Sequence, residues 1–108
     1  MLIRIVRMTF HEDKVGDFLR IFEESKHKIR AFPRCNHLEL HRDYNANHIF
    51  STYSYWDSEE AINNYRNSEL FKSVWSHTKA LFAGKTMAFS YKLVDGPIGE
   101  NPVSKGIN

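Results

Sequence analysis

Apolar residues change their spacing several times along the chain, and each change marks an element. Leu2 to Thr9 carries Ile3, Ile5, Val6 and Met8, a β-branched run with apolar groups on both faces, and predicts a first strand. Thr9 stands three residues before Glu12, the spacing at which a hydroxyl and a carboxylate together satisfy the free N–H groups of a helix start. Val15, Phe18, Leu19, Phe22 and Ile29 then recur at helical intervals up to Ala31-Phe32-Pro33, which predicts a helix of about five turns. Gly16 inside that helix costs on the order of 1 kcal/mol relative to alanine and points to close packing there.

From Cys35 to Asp43 the alternation is strict, with Leu38 and Leu40 on one side and Cys35, His37, Glu39 and His41 on the other. Tyr44-Asn45-Ala46-Asn47 supplies turn chemistry, and the β-forming run from His48 to Trp56 returns as an antiparallel partner. Asp57 with Glu60 repeats the capping spacing ahead of a short helix through Ala61, Ile62 and Tyr65. Asn67-Ser68 interrupts it, and a further helix runs through Leu70, Phe71, Val74, Trp75, Thr78, Leu81 and Phe82, with Gly84 as its expected stop. Thr86 to Val94, with Met87, Phe89, Tyr91 and Leu93 at alternate positions, predicts the last strand. Residues 1–94 thus read as one domain, and 95–108, with Gly96, Pro97, Gly99, Pro102 and Gly106, as an irregular tail.

The order β-α-β-β-α-β predicts an α+β, ferredoxin-like fold in which helices cover one face of a four-stranded antiparallel sheet. No element remains to cover the other face, although Ile3 and Ile5 point there when Val6 and Met8 point toward the helices. An apolar sheet face of several hundred Å² left in water is the signature of a partner, so a two-fold homodimer packed sheet on sheet is expected.

Composition narrows the classes of function. Fifteen Lys and Arg against thirteen Asp and Glu give a net charge of +2, spread without a basic cluster, so neither nucleic acid nor an anionic membrane is an expected partner. Cys35 is the single cysteine, which excludes an intrachain disulfide and fits a reducing, cytoplasmic setting. The opening residues are interrupted by Arg4 and Arg7 and read as a strand rather than a signal peptide or membrane span.

Trp56-Asp57-Ser58-Glu59-Glu60-Ala61, followed by Tyr65, Ser68 and Phe71, resembles the tryptophan-acidic-serine stretch and following helix of antibiotic biosynthesis monooxygenase domains. Pro33-Arg34-Cys35 and the first strand with Phe10 match in place, so the resemblance covers roughly residues 2 to 94. It implies a dimeric α/β barrel. Its known members include cofactor-independent oxygenases of phenols and quinols and haem-degrading enzymes. The haem-degrading branch has an Asn-Trp-His constellation, and the positions that line up here hold Val6, Tyr65 and Trp75, none of which is retained; valine and indole cannot ligate haem iron. His77 lies two residues past the aligned position, about 200° around a helix. Quinol-oxidising members often carry histidine where this chain has Tyr65.

The resemblance implies a cofactor-independent monooxygenase acting on a small aromatic, phenolic or quinol compound. Such an enzyme needs an apolar pocket with one or two proton-handling groups. Tyr65, His77 and Trp75 are the candidate catalytic residues, with Val6, Met8, Phe22 and Phe71 as pocket walls between the sheet and the second helix. The alternative is a non-catalytic dimeric module that binds a small hydrophobic or aromatic molecule; haem binding or breakdown is a third reading. His37, Glu39 and His41 share one face about 6.6 Å apart and have the donor types of a zinc or non-haem iron site, while the ordinary reading is a hydrogen-bonded row on an outer strand. Cys35 reads as a structural thiol. No phosphate-binding loop, dinucleotide fingerprint or zinc-finger spacing is present, so no cofactor is expected.

Overall fold

The computed structural model describes residues 1–96. Strand β1 (Leu2–Thr9) leads through a 3₁₀ turn (Glu12–Lys14) into helix α1 (Val15–Arg30). Strands β2 (Cys35–Arg42) and β3 (Ile49–Trp56) form the hairpin; helices α2 (Glu59–Arg66) and α3 (Glu69–Lys79) and strand β4 (Met87–Tyr91) follow. The sheet is antiparallel in the order β2-β3-β1-β4, which is the ferredoxin-like α+β arrangement. The tail expected over 95–108 lies, beyond Gly96, outside the described residues. Among the described residues no helix is long and apolar enough to cross a membrane.

Register sorts the side chains. Arg4, Val6 and Met8 on β1 share a face with Thr52, Ser54 and Trp56 on β3, and this face meets the helices. Met8, Phe10, Phe18 and Phe50 form one buried cluster, with the Phe10 and Phe18 rings stacked at 4.2 Å. Trp56, Ala61 and Ile62 form a second, against which Phe32 and Tyr65 pack. Burying each such side chain contributes roughly 1.5–3 kcal/mol, so these clusters anchor the helices on the sheet. The opposite face carries Ile3 and Ile5 beside Tyr55, Tyr53, Tyr91 and Phe89, and Phe89 and Tyr91 are 40% and 52% exposed.

Several local expectations are corrected. The first helix has no capping box: Lys14 occupies its N-cap position without a side-chain bond, because the 3₁₀ turn separates Thr9 and Glu12 from the helix. At α2 the cap is Ser58, whose Oγ accepts from the Ala61 N–H at 3.1 Å, while Asp57 accepts instead from Asn36 Nδ2 at 2.8 Å. A shift of register between Cys35 and His37 turns Cys35 to the helix side, against the Trp56 cluster, so it does not share the face of His37, Glu39 and His41. Helix α3 stops at Lys79 rather than near Gly84, since Phe82 leaves it to bridge to Phe10 and the Leu81 carbonyl accepts from the His11 N–H. Gly84 serves a close approach to β1: a Cβ there would lie 3.3 Å from Thr9 Cβ. Gly16 does not mark close packing, as a Cβ there would meet nothing within 4 Å. The last strand is shorter than expected, spanning Met87–Tyr91.

Candidate functional site

Between the sheet and the helices lies a cavity of about 290 Å³. Alternation along β1 delivers Arg4, Val6 and Met8 to its floor; α1 contributes Phe22 from its inner stripe. Helix α3 contributes Phe71, Val74, Trp75 and Thr78, positions i, i+3, i+4 and i+7 of one face. Tyr65 comes from the last turn of α2, and the corner that aims it is built by Ser68. Its Oγ donates to the Tyr65 carbonyl at 2.6 Å and accepts from the Phe71 N–H at 3.1 Å, ending one helix and starting the next with a single hydroxyl.

The aromatic side chains form a connected wall. Tyr65 stacks on Trp56 with centroids 4.9 Å apart, and meets Phe32 and Phe71 edge-on at 5.3 and 5.2 Å. Phe71 in turn stacks on Trp75 at 5.8 Å and 10°. Burial, with a smaller contribution from Cys35, pushes the Tyr65 phenol well above its usual range, so the group stays protonated and is a hydrogen-bond donor at neutral pH. The Trp56 indole is satisfied by Ser54 Oγ at 2.9 Å.

Of the residues singled out from sequence, Tyr65, Trp75, Val6, Met8, Phe22 and Phe71 all line this cavity. His77 does not. It is exposed on another face of α3, where its Nδ1 lies 2.8 Å from the Ser73 carbonyl. Seven polar contributors were not singled out as site residues: Arg4, Ser25, Thr52, Ser54, Arg66, Thr78 and Thr86. Arg4 carried a readable signal, because it stands at the alternate position to Val6 and Met8 on β1.

The histidine row lies on the other side of the sheet. His37 Nε2 and His41 Nε2 each approach one oxygen of Glu39 at 2.6 Å, and the His41 ring stacks on Tyr53 at 4.7 Å. These bonds hold the Glu39 carboxyl below its ordinary range, His41 contributing most. Among the described residues no group of three or more His, Cys, Asp or Glu is arranged to hold a metal ion.

The sequence profile of the antibiotic biosynthesis monooxygenase family matches residues 1–74. No curated protein matches the chain significantly in sequence. Among solved structures, one described as an antibiotic biosynthesis monooxygenase has a TM-score of 0.83 at 19% identity, covering 88% of this chain and all of that one (100%). A conserved protein from Methanosarcina mazei Go1 gives 0.79 at 16% identity over 84% of this chain and 91% of its own. PA3566 from Pseudomonas aeruginosa gives 0.75 at 22% identity over 86% and 94%. At these identities the likeness establishes a shared fold.

Proposed function

The chain belongs to the antibiotic biosynthesis monooxygenase family, and from that premise we propose that it is a cofactor-independent monooxygenase whose substrate, a small aromatic phenol or quinol, occupies the cavity beside Tyr65 and Trp75. The observation that carries this reading is the aromatic lining around one buried phenol. A flat ring is held between the Phe71–Trp75 pair and the sheet, and water is kept from its intermediates. Without an added reductant the substrate supplies every electron: a quinol plus O2 gives a hydroxyquinone plus water, one oxygen atom entering the ring and the other leaving reduced.

In this scheme Tyr65 donates a hydrogen bond to the substrate oxygen and positions it; His77 takes no part, because it faces away from the cavity. Haem does not fit the lining, which among the described residues contains no imidazole or thiolate and whose phenol is held protonated. The same reading places a second copy of the chain on the bare sheet face, as a two-fold homodimer, and a reducing cytoplasmic setting suits the free Cys35 thiol.

An oxygen electrode tests the reaction. With a naphthoquinol or benzoquinol and no metal or flavin, uptake should be one O2 per hydroxyquinone formed, and Tyr65→Phe should lower the rate by about tenfold or more. A second reading, a non-catalytic binding module, is favoured by one feature: among the described residues the lining carries no carboxylate or imidazole to act as a base. Ligands that raise the melting temperature without oxygen uptake for any quinol would decide for the module.

A further inference from the structure

Two charges sit at one end of the cavity. Arg4 projects from β1, is partly buried, and has only a neutral partner there, donating from Nη1 to Ser90 Oγ at 2.8 Å. Arg66, the last residue of α2, lines the same end and lies near enough that its charge, after burial, lowers the pKa of Arg4. Among the described residues neither guanidinium has an acidic partner. Two neighbouring guanidiniums, of which Arg4 is partly withdrawn from water, repel each other, and an anion between them relieves that repulsion while accepting charge-assisted hydrogen bonds.

Thr86 marks the other end. Its Oγ1 is buried and has no hydrogen-bond partner among the described residues, although Thr86 lines the cavity. Since Ser90 pairs with Arg4 and Ala88 with Val6, Thr86 lies about 13 Å along the strand direction from the arginine end. Val6 and Ala88 stand between them in the register, and Tyr65, Phe71 and Trp75 line the same cavity.

We propose that the cavity selects an elongated, flat aromatic molecule with an anionic group held by Arg4 and Arg66 and a hydrogen-bonding oxygen at the opposite end, received by Thr86. The inference rests on reading the cavity as the substrate site and adds the substrate class to it: an aromatic hydroxy acid rather than a neutral quinol.

Calorimetric titration of the full chain with three probes tests it: 6-hydroxy-2-naphthoate, the neutral 6-hydroxy-2-naphthalenemethanol, and 2-naphthoate. The chain's two tryptophans, Trp56 and Trp75, both line the cavity, so a change in their emission reports that a probe has entered. The hydroxy acid should bind about tenfold more tightly than the alcohol at low salt, and Arg4→Gln or Arg66→Gln should remove most of that preference while leaving the alcohol's affinity nearly unchanged. Arg66 is exposed at a helix end, so its replacement leaves the fold intact. Thr86→Val should weaken the hydroxy acid by about fivefold and spare 2-naphthoate. Equal affinity for acid and alcohol, or an acid preference untouched in both arginine variants, overturns this inference alone. If none of the probes binds or alters tryptophan emission, the cavity reading falls and this inference with it.

Discussion

Tyr65 shows how burial sets chemistry at a single residue. Its phenol is enclosed by Trp56, Phe32 and Phe71, and ionising it there means placing a negative charge among aromatic rings. The folded state therefore keeps the proton above pH 10.0, the ordinary value, where the unfolded chain loses it. Below that pH its titration has no effect on stability; above it the unfolded state binds fewer protons, so stability falls as pH rises. Alkaline titration followed by tyrosinate absorbance should show the Tyr65→Phe variant differing from the parent only above the ordinary tyrosine range, and unfolding at a higher pH. Ionisation of Tyr65 together with exposed phenols near pH 10 would contradict this environment. At this scale the apolar wall was legible, because Val6, Met8, Phe71 and Trp75 follow strand and helix spacing. His77 misled: a titratable side chain two residues from Trp75 suggests chemistry, but the inner stripe of α3 runs through Phe71, Val74, Trp75 and Thr78 and leaves it outside. Arg4 was overlooked for the opposite reason, since a charge in a strand reads as surface even where its neighbours at alternate positions are buried.

The elements depend on small polar residues more than their apolar pattern reveals. Periodicity located both later helices, yet the device joining them is the Ser68 hydroxyl, which bonds Tyr65 O on one side and Phe71 N on the other. Losing an N-cap of this kind costs about 1 kcal/mol. Ser68→Ala should therefore lower unfolding free energy in urea by about that amount, and weaken ligand binding because Tyr65 and Phe71 lose their common anchor. Unchanged stability would show that the corner is held by ring packing instead. The capping residues themselves were misassigned at both helices they were sought for, since a hydroxyl or carboxylate acceptor three residues ahead of a glutamate also occurs where it caps no helix. Alternation also fails at a bulge: one extra residue, Asn36, turns Cys35 to the opposite face from the His37 row, which a strict count of two cannot register. Leu81 and Phe82 continue the helical spacing of α3 but are drawn off it by Phe10 and His11, partners about seventy residues earlier that no local window contains.

Over the whole molecule, one sheet serves two purposes. Its inner face, with the helices, closes around the cavity; its outer face leaves Ile3, Ile5, Phe89 and Tyr91 without a cover among the described residues. The order of elements made the ferredoxin-like fold legible, and counting layers made the bare face legible too, because two helical segments cannot shield both sides of four strands. The polar ends of the cavity were not legible, as they depend on which residues of β1, α2 and β4 meet in space. We propose that this chain acts as a pair, with the outer faces packed together and each inner face holding one ligand. Sedimentation equilibrium tests it most directly. The parent chain should sediment as a dimer at micromolar concentration, and the double variant Ile5→Lys, Phe89→Glu as a folded monomer with an intact far-ultraviolet spectrum; a parent chain that remains a stable, well-folded single subunit under the same conditions contradicts the claim.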